Sequence, residues 1–290
     1  MLPGMAAKPV IAIVGAGNLG SALASSLGQA GYGIEAVIAR SRGASLKKAQ
    51  RLAKQVDARV LTDPAGLRAG LIWFCVPDAE IARAAQSLAR KMEWKGRVAL
   101  HSSGALASDE LAALRARGAA VASVHPLMTF VRGSQPPLAG VPFALEGDPA
   151  ALRMARRVIA DVGGYAYSIR KSDKAAYHAW GTFASPLFTA LLATTEQVAK
   201  LAGVKRQAAK RRMIPILLQT LANYAAFDAG DAFSGPIIRG DVGTVKGHMR
   251  VLRSLPAARE VYSALARSAL QYLPAKHKSV LKRILEGEAD

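Results

Sequence analysis

The sequence predicts a doubly wound α/β domain over residues 1–170, followed by an all-helical domain over residues 171–290. Up to that boundary, apolar runs typical of buried parallel strands alternate with segments of helical period. Beyond it, only the helical period continues. A glycine-rich turn also joins the first strand to the first helix, which is typical of the opening βαβ unit of such a sheet.

That turn lies between an apolar strand at residues 10–14 and a helix with leucines at 19, 23 and 27. Gly15, Gly17 and Gly20 form G-x-G-x-x-G, in which the glycines turn the chain, admit a pyrophosphate and let the helix approach its strand. The helix N-terminus favours phosphate. With a second strand at residues 34–39, the unit predicts a Rossmann-like dinucleotide site that includes Asn18 and Leu19. A chance glycine turn is the alternative.

The end of the second strand indicates which dinucleotide binds. An NAD site usually has an acidic residue about 20 positions after the last glycine. This chain instead has Arg40, Ser41 and Arg42 there. Guanidinium groups and a hydroxyl suit a 2′-phosphate, so these residues predict NADP as the cofactor. The alternative is that the arginines are surface charges in an arginine-rich chain.

The rest of the first domain continues the alternation. Strands are predicted at residues 57–61, 71–76, 97–100, 119–124, 141–146 and 165–169, and helices at 45–55, 79–92, 108–117 and 149–162. Ligands of doubly wound sheets bind outside the carboxyl ends of the strands. We therefore expect three strand ends to lie beside the nucleotide: Val76-Pro77-Asp78, His101-Ser102-Ser103-Gly104 and His125-Pro126.

These strand ends carry most of the predicted site of the first domain. Val76, Pro77, Asp78 and His101 are assigned to cofactor binding, and His125 to substrate binding. Ser102 and Ser103 are assigned to orienting the reacting groups. A histidine can equally be a satisfied core residue, and that alternative stays open for both imidazoles.

The second domain is predicted to contain helices at residues 172–201, 205–228, 242–252 and 256–273, with a kink at Pro215. Ser172 is a suitable N-cap for the first helix. Lys174 and His178 then lie one turn apart on one face. Such a pair can protonate or polarise a carbonyl or imine while a nicotinamide delivers hydride. A surface lysine with a histidine in the capping turn is the alternative.

Two further features of this domain concern partners and substrate. The first helix is apolar nearly all round over residues 175–193, which predicts burial and, in so small a domain, a homodimer. Before the third helix, Arg239 is placed to clamp an anionic group, Asp241 to cap the helix and Thr244 to orient the substrate. The alternative is a turn with a capping aspartate and a solvent-facing arginine.

Composition excludes several function classes. The chain has 290 residues, of which 51% are hydrophobic and 20% charged, so it is globular. Its net charge is +19, but the positive residues are dispersed without interleaved aromatics, so no nucleic-acid partner is expected. The single cysteine, Cys75, predicts neither a disulfide nor a metal site. No signal peptide or spanning segment is evident, so we expect a cytoplasmic protein without a membrane partner.

Together with Phe130, Tyr177 and Gly235-Pro236, these motifs resemble the bacterial proteins that join a Rossmann-like domain to a DUF2520 domain. Those proteins are relatives of coenzyme F420-dependent NADP oxidoreductases and pyrroline-5-carboxylate reductases. The resemblance implies NADP and a helical dimerisation domain of the 6-phosphogluconate-dehydrogenase type. The wider superfamily of β-hydroxyacid dehydrogenases has a catalytic lysine, which Lys174 matches, and an asparagine four positions later, which His178 replaces.

The expected function is therefore NADP(H)-dependent hydride transfer to or from a small anionic carbonyl or imine compound. Lys174 and His178, with Ser102 and Ser103, are the candidate catalytic residues. A non-catalytic NADP(H) sensor or interaction protein on the same scaffold is the alternative.

Overall fold

The computed structural model describes residues 7–287. These residues form two compact units, which divide between Thr182 and Phe183. The first unit combines a β-sheet with helices, and the second contains helices only among the residues described. The predicted α/β class with a helical C-terminal region is confirmed.

Eight strands of the described chain form one sheet, in the order β3-β2-β1-β4-β5-β6-β7-β8. Strands β1 to β6 are parallel, β7 pairs antiparallel with β6, and β8 runs parallel to β7. The antiparallel step at β7 is not predicted from the sequence. The strands are β1 Ile11–Val14, β2 Ile34–Ile38, β3 Arg59–Leu61, β4 Leu71–Phe74, β5 Val98–His101, β6 Ala120–Pro126, β7 Pro142–Gly147 and β8 Tyr165–Ser168.

The central strands are buried on both faces, which explains their continuous apolar sequences. In β1, Ile11 and Ile13 join the core on one side of the sheet, whereas Ala12 and Val14 join the core on the other. Each residue of β1 is therefore covered, although successive side chains point in opposite directions. In a parallel sheet covered in this way, the carboxyl ends of the strands lie along one edge. The predicted site residues are located at that edge.

The first unit contains six α-helices among its described residues: α1 Asn18–Gln29, α2 Ala44–Gln55, α3 Asp78–Ala89, α4 Ala112–Arg115, α5 Pro149–Asp161 and α6 Lys174–Thr182. A 3₁₀ turn, Ser108–Leu111, precedes α4, and another, Lys171–Asp173, precedes α6. The prediction that Ser172 caps the last helix is wrong. The Ser172 hydroxyl donates to Asp173 Oδ1 over 3.0 Å, and α6 begins two residues later.

In the described part of the second unit the helices are α7 Phe188–Leu201, α8 Arg206–Ala226, α9 Ala229–Ala232, α10 Pro236–Arg239, α11 Val242–Val251, α12 Pro256–Tyr272 and α13 Lys278–Glu286. The predicted single helix at 172–201 is interrupted by a π turn, Phe183–Leu187, which contains Pro186. Proline lacks the N–H that an α-helix needs at an interior position. Pro215 lies within α8, which is assigned as one helix.

Burial in the second unit is sparse. Its buried apolar cluster consists of Val245, Met249, Ala266, Leu281 and Leu285. Helix α7 buries none of its residues, and α8 buries only Ala209. Of residues 175–193, only Tyr177 is buried, so most of the burial predicted for this stretch is absent within one chain. No helix among residues 7–287 is long and apolar enough to cross a bilayer.

Candidate active site

The glycine loop has the geometry that its sequence predicts. Gly15 has φ of +99°, and a Cβ there would lie 2.8 Å from the Cys75 carbonyl oxygen. A Cβ on Gly20 would lie 2.3 Å from the Gly15 carbonyl oxygen, so only glycine lets α1 pack this closely. A Cβ on Gly17 would have the Cys75 carbonyl oxygen, 3.9 Å away, as its nearest neighbour. Two glycines are thus required by the fold, whereas the third leaves room for a ligand.

The remaining nucleotide-site residues flank this loop. Asn18 begins α1, and its Nδ2 donates to the Phe130 carbonyl oxygen over 3.1 Å. Leu19 is partly buried against the core. Arg40, Ser41 and Arg42 follow β2 and are all exposed. The two guanidinium groups and the serine hydroxyl are therefore accessible at the carboxyl end of β2.

The segment after β5 is held by internal hydrogen bonds. His101 is fully buried, and its Nε2 donates to the Ala107 carbonyl over 2.9 Å, while the Ser103 N–H donates to Nδ1 over 3.1 Å. These two bonds place the ring proton on Nε2. Burial, as the largest cause, lowers the pKa of His101 to about 4. His101 is therefore a neutral residue that shapes this loop from beneath.

The two serine hydroxyls of the same segment are also engaged. Ser102 Oγ accepts from Trp73 Nε1 over 2.8 Å. Ser103 Oγ donates to Asp78 Oδ2 over 2.8 Å and accepts the N–H groups of Ala105 and Leu106. Asp78, at the start of α3, is thereby tied to the end of β5. The structure thus brings together two of the predicted strand ends.

Lys174 lies beneath this segment. Lys174 is only 2% exposed. Its Nζ donates to the Ser103 carbonyl over 3.1 Å and to Ser123 Oγ over 2.7 Å. Ser123 Oγ in turn donates to the Ser103 carbonyl over 3.1 Å. Burial lowers the pKa of Lys174, and the carboxylates of Glu146 and Asp78 oppose that shift. Ser123 was missed from sequence, although a hydroxyl within an apolar strand was a usable signal.

His125 and His178 converge at Gly104. A Cβ on Gly104 would lie 2.7 Å from His178 Cδ2 and 2.9 Å from His125 Nε2. His125 Nδ1 lies 2.7 Å from the hydroxyl of Tyr177, which is 7% exposed, whereas His178 is exposed. Sequence reasoning did not assign Tyr177 to the site, although its place three residues after Lys174 puts both on one helix face.

Three predicted substrate-binding residues belong to the helical unit. Arg239 Nε donates to Asp241 Oδ2 over 2.9 Å, so the guanidinium already has an anionic partner. Asp241 occupies the N-cap position of α11 but makes no side-chain capping bond. The capping prediction is wrong because the carboxylate turns to Arg239 instead. Thr244 is exposed.

Comparisons with known proteins identify the domains and the fold. The family model for a Rossmann-like domain matches residues 5–126, and that for the domain of unknown function DUF2520 matches residues 141–269. No curated protein shows significant sequence similarity to the chain.

Solved structures share the fold at low identity. The candidate NADP oxidoreductase BF3122 from Bacteroides fragilis has a TM-score of 0.75 and 22% identity, covering 90% of this chain and 97% of its own. The reductive aminase from Aspergillus terreus, in complex with NADPH and ethyl-5-oxohexanoate, has a TM-score of 0.63 and 18% identity. This match covers 96% of this chain and 100% of the aminase. A pyrroline-5-carboxylate reductase from Coxiella burnetii has a TM-score of 0.57 and 14% identity, and the match covers 98% of this chain and 100% of that protein. The chain thus joins a Rossmann-like domain to a DUF2520 domain, as its motifs predicted.

Proposed function

We propose that this protein is an NADP(H)-dependent oxidoreductase that transfers hydride to or from a small anionic carbonyl or imine compound. The observation that carries the proposal is a buried ammonium, that of Lys174, beneath the ends of β5 and β6 in a unit whose β1–α1 loop is open at Gly17. The structures that share the fold include proteins named as an NADP oxidoreductase, a reductive aminase with NADPH and a pyrroline-5-carboxylate reductase.

The residues present fit NADP. The space beside Gly17 would be filled by a Cβ, and the N-terminus of α1 favours the pyrophosphate. Arg40, Ser41 and Arg42 are exposed where a 2′-phosphate would lie. When bound, the reduced nicotinamide supplies hydride. Val76, Pro77 and Asp78 stay assigned to the cofactor, whereas the buried His101 supports it only through the loop that it shapes.

The chain's own residues supply charge and hydrogen bonds. The ammonium of Lys174 stabilises negative charge that develops on the substrate. The exposed His178 exchanges protons with the substrate. Ser102 and Ser103 keep their proposed orienting role through the position of their loop, since their hydroxyls have internal partners. His125 is a proposed substrate contact, and Arg239, Asp241 and Thr244 stay proposed as substrate-binding residues.

The direct test is to follow NADPH oxidation against a panel of oxo acids, ketones and cyclic imines. Turnover of at least one compound class supports the proposal. Tight NADPH binding without any hydride transfer would instead favour the sensor function.

The role of Lys174 is tested by Lys174→Met, which keeps the aliphatic chain and removes the charge. Turnover should fall about 100- to 1000-fold, as when an electrostatic donor is removed, while NADPH affinity changes little. The matched control is Lys171→Ala, because the Lys171 ammonium pairs with Asp109 on the surface. Equal losses of turnover and NADPH affinity in Lys174→Met would contradict the assignment.

We also propose that the protein is a homodimer through its helical unit. Phe183, Ile216, Leu218 and Phe227 are each at least 60% exposed in one chain. A second copy covering these side chains would remove a large apolar area from water.

A further inference from the structure

The hydrogen bond between Tyr177 and His125 determines which imidazole nitrogen carries the proton. Tyr177 is almost fully buried, and its hydroxyl lies 2.7 Å from His125 Nδ1. If the imidazole donated this bond, the phenol proton would be left with only the buried hydroxyl of the neighbouring Tyr167 as an acceptor, and that hydroxyl makes no hydrogen bond among residues 7–287. If the phenol donates, both groups are satisfied and the ring proton lies on Nε2. The ring of Tyr177 also holds that of His125 edge-on, with centroids 5.4 Å apart.

The imidazole is neutral in its folded environment. Burial, as the largest cause, lowers the pKa of His125 to about 4, and the neighbouring side chains of Lys174, His178 and His101 lower it further. The carboxylate of Asp78 opposes the shift, but Ser103 Oγ already donates to it. At neutral pH, therefore, His125 is an uncharged group.

The protonated nitrogen lies on the side of the ring that faces Gly104. Nε2 is 2.9 Å from the position that a Cβ of residue 104 would occupy. Among residues 7–287, no hydrogen bond is made to Nε2, although Nδ1 has its partner. The adjacent ring of His178, with centroids 6.4 Å away, is exposed. A donor without a protein acceptor therefore lies next to an accessible side chain at the strand ends.

We propose that His125, as a neutral imidazole protonated on Nε2, donates a hydrogen bond to the substrate atom that receives negative charge, and that Tyr177 is the positioning residue that fixes this tautomer. The inference rests on the proposed reductase function and narrows its substrate class. A neutral N–H donor binds a carbonyl oxygen, which has free lone pairs. A protonated imine has none at nitrogen and is repelled by the neighbouring ammonium of Lys174. The substrate is thus a carbonyl compound rather than an iminium ion.

The tautomer is tested without turnover, by ¹⁵N nuclear magnetic resonance of histidine-labelled protein. The His125 signals, identified by their loss in His125→Ala, should show a protonated Nε2 and a bare Nδ1 at neutral pH. Tyr177→Phe should produce a mixture of tautomers. The matched control is Tyr262→Phe, because Tyr262 contacts His248 Nδ1 over 3.1 Å in the helical unit. A proton on Nδ1, or an imidazolium, in the unaltered protein would overturn the proposal.

The substrate class is tested by titrating the complex with oxidised NADP, which cannot reduce a ketone. Addition of 2-oxobutanoate should shift the His125 Nε2–H signal, whereas protonated 1-pyrroline at mildly acid pH should not. No shift with the oxo acid, or an equal shift with both, would overturn the proposal. Failure of the oxidoreductase function itself would appear separately, as NADPH oxidation with no compound of the panel.

Where turnover is found, the same residues give a graded result. His125→Ala should lower turnover about 100- to 1000-fold, and His125→Gln, which restores an N–H donor near Nε2, should recover part of it. Tyr177→Phe should lower turnover about 3- to 10-fold without changing NADPH affinity. Turnover in His125→Gln no higher than in His125→Ala would contradict the donor role.

Discussion

The two units of the molecule bury their large side chains very differently. In the α/β unit, Trp73, Phe74 and Phe143 are at most 1% exposed. In the helical unit, Phe183 and Phe227 are 72% and 60% exposed, and the α8 residue Ile216 is 67% exposed. A two-sided sheet covered by helices closes its own core, whereas the helices of the second unit leave apolar faces in water. The proposal that a second copy covers these faces rests on this difference.

The largest expected effect comes from placing a charge on that apolar face. Ile216→Asp should convert the protein to monomers, because each buried isoleucine contributes about 1.5–3 kcal/mol and a symmetric dimer contains two. Analytical ultracentrifugation measures the outcome. Gln50→Asp, at an exposed position of α2, introduces the same charge and should leave the mass unchanged. A monomeric unaltered protein would remove the basis for the comparison.

The buried polar groups of the α/β unit predict a loss of stability in acid. Because the pKa of His101 is lowered to about 4, the unfolded chain binds its proton at higher pH than the folded chain does. Stability should therefore fall as pH decreases from about 6.5 towards 4, by up to about 3 kcal/mol for this group. Urea unfolding at a series of pH values measures this slope. His101→Asn should reduce the slope but not abolish it, because the pKa of His125 is also lowered to about 4. An unchanged slope in that variant would contradict the assignment to His101.

Cofactor selectivity tests whether the carboxyl edge of the α/β unit has the proposed ligand. Loss of one arginine–phosphate interaction costs about 1.5–3 kcal/mol, a factor of about ten to over one hundred. Arg40→Asp should weaken NADPH binding by that factor and spare NADH, as measured by calorimetry. Lys48→Asp, an equal charge change on the exposed face of α2, should affect NADPH much less. Comparable binding of NADH and NADPH by the unaltered protein would refute the NADP assignment.

The smallest effect concerns the close packing of the first helix. Gly20→Ala should lower the free energy of unfolding by about 1–3 kcal/mol, because its Cβ would lie 2.3 Å from the Gly15 carbonyl oxygen. Gly28, in the same helix, has no atom within 4 Å of such a Cβ. Gly28→Ala should therefore be neutral or stabilising by up to about 1 kcal/mol. Equal destabilisation of both variants would show that packing at Gly20 is not the cause.

Much of the α/β unit was predictable because its signals are local. Strand periodicity, the glycine turn and the residues at the carboxyl ends of β4, β5 and β6 depend on short segments and on one rule about parallel sheets. The antiparallel placement of β7, by contrast, depends on pairing between residues far apart in the chain. The π turn at Pro186 also lay within a stretch whose period favoured a single helix.

The candidate site shows the same division at the level of single residues. The spacing of Lys174 and His178 on one helix face followed from the helical repeat alone. The sequence also determined the glycine loop and the arginines after β2. Tertiary structure alone decided that Lys174 is buried against Ser123 and the Ser103 carbonyl, and that Tyr177 contacts His125. These contacts join strands to a helix some 50 or more residues later, and their geometry depends on packing that no local pattern encodes.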